Sequence, residues 1–231
     1  MESLGSPETT LGVTVSEIPE PDPRKSIVQE FAEVKYPLWK YEGNGSDTST
    51  DATPALPAPP QDIVDAVAKL ANTKYDIVAN FAAASYVAAA LGPARLPEIL
   101  AVMVHPPAVP KNWSALSWLP RVQLTAALII AQLDSGWDGS ARKEGLLSIL
   151  FGPQDWTTQA AIRALSILGT RDEALSYKID DIFLTLVKNA PSSGYCCWRY
   201  TLYNGWIRLP HLSDGERNEL QRAIEMMEAD D

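Results

Sequence analysis

From residue 61 to residue 229 the chain is a succession of helix-length apolar patterns, most of them closed by glycine or proline. The segments run over 62–72, 75–91, 95–105, 121–133, 140–151, 155–168, 173–189, 195–209 and 213–229, with breaks at Gly92-Pro93, Pro106-Pro107, Gly136, Gly139, Gly152-Pro153, Pro191, Gly194 and Pro210. Apolar residues recur within them at three- and four-residue steps, and nothing comparable alternates with the period of two that a strand requires. The fold class that follows is all-α.

The surfaces of these segments differ. In 173–189, Leu175, Ile179, Ile182, Phe183 and Leu186 share one side, as on an amphipathic surface helix. In 121–133, Val122, Leu124, Leu128, Ile129, Ile130 and Leu133 cover most of the circumference, so that helix is expected to be packed on several sides. A central layer flanked by amphipathic helices is what stacked helical hairpins produce, as an irregular α-solenoid or a helical bundle.

A weak repeat accompanies the layering. Thr125-Ala-Ala-Leu128 is followed 34 residues later by Gln159-Ala-Ala-Ile162, and Thr201-Leu-Tyr203 lies 42 residues beyond that. The spacing resembles that of HEAT and armadillo-like α-solenoids, whose units are helical hairpins of similar length. The resemblance covers residues 119–229 and is one of pattern and spacing, without a diagnostic motif. It implies ligand binding along aligned polar ridges: Arg121, Thr125 and Gln132; Gln159, Arg163 and Ser166; Thr201, Asn204 and Arg208.

The first sixty residues are of another kind. They hold nine of the eighteen prolines and carry a net charge of −6, a composition that favours a disordered acidic tail over 1–60 and a helical body over 61–231. The Pro54–Pro60 run is expected to be a stiff linker. Within the tail, Ser26 and Gln29 have capping-box spacing, and Ile27, Phe31 and Val34 fall on one helical face, a short motif suited to docking in a groove. Residues 213–231 carry −5, while the stretch between the two ends is nearly neutral. Acidic ends argue against a nucleic-acid partner, which calls for clustered Lys and Arg. No apolar run reaches the roughly 20 residues of a membrane helix, and no secretory pattern opens the chain, so a cytoplasmic protein without a membrane partner is expected.

Chemistry-bearing motifs are few. Phosphate-binding loops, dinucleotide fingerprints, paired metal-ligating histidines and nucleophile elbows are all lacking, so no cofactor, metal or catalytic residue is assigned. Ser140-Ala-Arg-Lys143 has Ser-x-x-Lys spacing, but Ser140 stands where a helix cap belongs. Asp134 to Gly139 matches the first half of a calcium loop, but Gly145 occupies the position of the closing glutamate, which favours an inter-helix turn. His105 and His211 fall at segment ends, as helix-capping residues do. Arg199, near Tyr203 and Trp206, is either an anchor for a partner's acidic group or half of an internal pair with Asp180 or Asp181.

The candidate partner-binding residues are therefore Ile27, Phe31, Val34, Arg121, Gln159, Arg163, Arg199 and Arg208. The function expected is a non-catalytic adaptor or scaffold that binds another protein or peptide. The alternatives are an acidic inhibitor or regulatory subunit masking a basic site on its target, and an enzyme on a helical scaffold.

Overall fold

A computed structural model describes residues 36–41, 52–151, 156–188 and 198–229, with the side chain of Trp156 left out. Nine α-helices occur among these residues: α1 (Gln61–Ala71), α2 (Ile77–Leu91), α3 (Leu96–Val104), α4 (Ala115–Ile130), α5 (Ala141–Leu150), α6 (Trp156–Arg171), α7 (Glu173–Lys188), α8 (Arg199–Trp206) and α9 (Asp214–Ala229). The all-α expectation holds. A two-stranded antiparallel ribbon joins β1 (Trp39–Tyr41) to β2 (Ala52–Pro54), with Lys40 opposite Thr53.

Local signals explain most helix starts. Asp76 caps α2 by accepting from the amides of Val78 and Ala79 at 3.0 Å each. Ser140 caps α5 through the Lys143 amide, so the Ser-x-x-Lys spacing is a cap. Ahead of α9 the reciprocal box forms: Ser213 N–H donates to Glu216 Oε2 at 2.8 Å, and Glu216 N–H donates to Ser213 Oγ at 3.3 Å.

One start differs from expectation. The helix placed at 121–133 begins at Ala115, and Pro120 lies inside it. Proline there removes one backbone bond. The carbonyl it leaves unmatched belongs to Leu116, which is 90% exposed and open to water. Two contacts hold the early turn in place: Ser114 caps it, and the buried Trp118 donates from Nε1 to the Pro107 carbonyl at 3.0 Å.

The helices α2, α4, α6 and α8 each pack on the next, making one row, while α3, α5 and α7 fill the intervals behind it. Throughout α4, residues 121–130 are buried, because α1, α2, α3, α5 and α6 all touch this helix. α7 buries Leu175, Ile179, Phe183 and Leu186, the stripe expected of it. Close approach within the row requires glycine at 205. A Cβ there would lie 2.0 Å from Ser166 Oγ, so α8 sits directly against α6.

The packed unit also reaches back beyond the boundary expected at residue 60. Leu38 is only 1% exposed and belongs to the main core, and Leu56 packs against it. Ala55 N–H donates to the Leu38 carbonyl, and His105 Nε2 lies 2.9 Å from the Leu56 carbonyl. The run up to Pro60 is thus laid along the body, since an apolar residue inside a proline-rich stretch can still gain by burial. The expected motif of Ile27, Phe31 and Val34 lies outside the described residues.

Candidate partner-binding groove

Two of the three expected polar ridges meet. Arg163 and Ser166 on α6, with Thr201, Asn204 and Arg208 from α8 and its end, line a groove of about 480 Å³. Its other wall comes from the start of α2, where Ile77 and Val78 follow Tyr75. Gln159, one turn back on α6, accepts from Thr201 Oγ1 at 3.5 Å and so ties the two ridges together.

The groove is positively charged. Arg163, Arg171 and Arg208 line it, and none of its described lining residues is acidic. Arg163 donates from Nη1 to the Tyr75 hydroxyl at 3.2 Å, and the Arg171 guanidinium stands 4.7 Å from the centre of the Phe81 ring. No ion pair among the described residues neutralises any of the three. At the rim, Tyr200 donates to Glu228 at 2.9 Å, which holds its phenol above the usual range. Beside the groove, α2 shows solvent an apolar side made of Val78, Ala82 and Tyr86, the last 80% exposed.

The third ridge is a correction. Arg121 is 6% exposed and Thr125 is buried, so they do not form the open polar ridge for a partner that the spacing predicts. The α1–α2 connection lies over this part of α4. Arg121 donates from Nε to the Ala71 carbonyl at 2.9 Å, and from Nη2 to the Thr73 carbonyl and Asn80 Oδ1 at 3.1 Å each. It thereby satisfies carbonyls that the end of α1 would otherwise leave open. Thr125 Oγ1 donates to the Arg121 carbonyl, and Gln132 reaches the Phe81 carbonyl at 3.4 Å. A second hollow, of about 300 Å³, lies against Arg121 on the far side of the Tyr75–Arg163 contact.

Arg199 is half-buried at the first residue of α8, and of the two carboxylates that the sequence offers it, Asp180 is engaged by Trp206 and His211. Asp180 accepts from Trp206 Nε1 at 2.5 Å, with His211 Nε2 3.9 Å away. The Trp206 ring stacks on Tyr203 with 6.2 Å between centres. Asp134 and Asp138 serve the turn before α5: Asp134 accepts from the Ala141 amide, and Asp138 pairs with Lys143 and Lys178. No group of three possible metal ligands occurs among the described residues.

One arrangement escaped the sequence. Ser176 Oγ lies 2.5 Å from His211 Nδ1, and Asp180 approaches the other ring nitrogen, so the three have the connectivity of a hydrolytic triad. Ser176, however, is 0% exposed in the interior of α7 and lines neither hollow. A nucleophile must reach its substrate. Here the three polar groups join α7 to the turn ahead of α9. The signal was out of reach because 35 residues separate Ser176 from His211.

Among the described residues no single helix is long and apolar enough to cross a membrane. The fold and groove define a class, an all-α protein with a basic, aromatic-edged channel on one helical row. No family model, curated protein or solved structure matches the chain.

Proposed function

We propose that this protein is a protein-binding adaptor whose groove between α2, α6 and α8 receives an acidic segment of another protein. The observation that carries this reading is the combination of three arginines that no ion pair among the described residues neutralises with an adjoining exposed apolar helix side. Arginine forks suit carboxylates, and apolar surface beside them supplies affinity that charge alone does not. The net charge of −10 makes a local basic channel selective, because the rest of the surface repels acidic partners. The helical-repeat resemblance agrees with a ligand lying across successive helices. The Ile27, Phe31 and Val34 motif provides a second contact in this reading, and the protein works in the cytoplasm.

A photo-crosslinking residue placed at Thr170, which is exposed and lines the groove, tests the proposal. In native extract it should capture a defined partner, and the same residue at the exposed Glu225 on α9 should not. The double variant Arg163→Glu, Arg208→Glu should abolish capture. Equal capture from both positions, or capture indifferent to charge reversal, would sink the idea. Loss of capture only on deleting residues 1–35 would favour the acidic-inhibitor alternative.

A further inference from the structure

Arg121 presents an unusual balance of charge. Its guanidinium is buried, yet every acceptor it meets is neutral: two backbone carbonyls and the Asn80 amide. Taking a cation out of water costs several kcal/mol unless a counter-charge is supplied. Burial accordingly pulls the guanidinium below its usual range, and the phenol of Tyr75, 4.9 Å from it, is the one group that opposes this. An arginine can donate five hydrogen bonds. Those formed here use Nε and Nη2, so Nη1 has no protein acceptor among the described residues.

Arg121 lines the hollow of about 300 Å³. Around it stand Trp113, Leu124, Pro120 and Tyr75, with Arg163 on the groove side. The wall is fixed: Trp113 donates from Nε1 to Asn72 Oδ1 at 2.9 Å and packs on the buried Trp118 at 5.4 Å between ring centres. No acidic residue is among the described lining residues. A fixed cation with an open edge, set in a mostly apolar hollow, is how ligand sites are built.

We infer that this hollow is a binding site for a carboxylate carried on an apolar or aromatic body. The carboxylate takes the open Nη1 edge of Arg121, with Arg163 as the outer cation, and the body lies against Trp113 and Leu124. Two sources present this chemistry, a small aromatic acid and the free carboxyl end of a peptide with an aromatic last residue. The hollow shares Tyr75 and Arg163 with the groove and is told apart from it by Arg208, which lines the groove alone.

The test uses the full chain and follows the Trp113 indole N–H by NMR, assigned with Trp113→Phe. Phenylacetate and the peptide Ala-Ala-Ala-Phe are titrated in parallel with phenylacetamide and the C-terminally amidated peptide. At least one carboxylate should give saturable shifts of that resonance, with neither amide doing so, and which acid binds identifies the source. Arg121→Lys should weaken binding at least tenfold. Asn80→Asp puts a carboxylate beside the guanidinium from within and should do the same, even where the lysine variant is poorly folded. Arg208→Glu should leave the shifts intact. Absence of saturable shifts with both acids, equal shifts with acid and amide, or undiminished affinity in Asn80→Asp would overturn the assignment.

Discussion

The hydroxyl of Tyr75 accepts a hydrogen bond of 3.2 Å from Arg163 Nη1, tying the connection between α1 and α2 to the surface of α6. This contact stands between the groove and the hollow and contributes to both, since the same two residues line each. Tyr75→Phe removes the bond and leaves the ring that stacks near Arg121. With Tyr75 exposed, the fold should lose less than about 1 kcal/mol, the usual yield of one hydrogen bond at a surface. Urea melts measure this, and a larger loss would show that the contact fastens α2 to α6.

Leu38→Ala should be among the costly substitutions, at roughly 2–5 kcal/mol, the range for leucines truncated in cores. A chain starting at residue 61 should suffer a comparable loss, whereas one starting at residue 36 should keep the full midpoint. Equal midpoints for all three would place the Leu38 segment outside the cooperative unit.

Ser176→Ala leaves the buried His211 ring without its Nδ1 partner and should destabilise by about 1–3 kcal/mol. Fluorophosphonate reagents, which label reachable activated serines, should leave Ser176 unmodified. Labelling at that position would reopen the hydrolytic reading.

The acid limb of stability has a stated sign. Hydrogen bonds from Ser213 hold the Glu216 carboxyl below its usual range, and the ammonium of Lys178 does the same for Asp138. A depressed folded-state value means stability that is present above the ordinary carboxylate range and lost as pH falls through the lowered one. Ser213→Ala should therefore lower the midpoint at neutral pH, and the difference should shrink as pH falls through the lowered Glu216 range, leaving only the part due to the Ser213 cap on the Glu216 amide. A difference that persists unchanged in acid would assign it to something other than Glu216.

How far the sequence could be read depended on the range of the interaction. The Ser213–Glu216 box, the Ser140 cap and the α7 stripe are set by neighbours three or four residues away, and all were legible. The ridges of α6 and α8 were legible too, because α6 stays open to solvent at Arg163 and α8's end stays open at Arg208. Arg121 was misjudged as exposed, because its burial comes from Ala71, Thr73 and Asn80, 41 to 50 residues away. The early start of α4 was hidden for the same reason: Trp118 is fastened by the Pro107 carbonyl, and this outweighs the local effect of Pro120. Leu38 carried no periodic pattern of its own, and only its docking on the body reveals it as core.

The glycine at 205 sets how closely two walls of the channel can lie. Ser166 Oγ is held by its own bond to the Ile162 carbonyl at 2.7 Å, so a side chain at 205 would force α8 away from α6. The opposing edge, built from Tyr75, Ile77 and Val78, is held by the Tyr75–Arg163 bond, by Ile77 on the core and by the bonds from Arg121 to Thr73 and Asn80. In the proposed reading, partner preference is retuned by substitution at the exposed Tyr75 and Val78, whereas Asp76 caps α2 and Ile77 packs on the core.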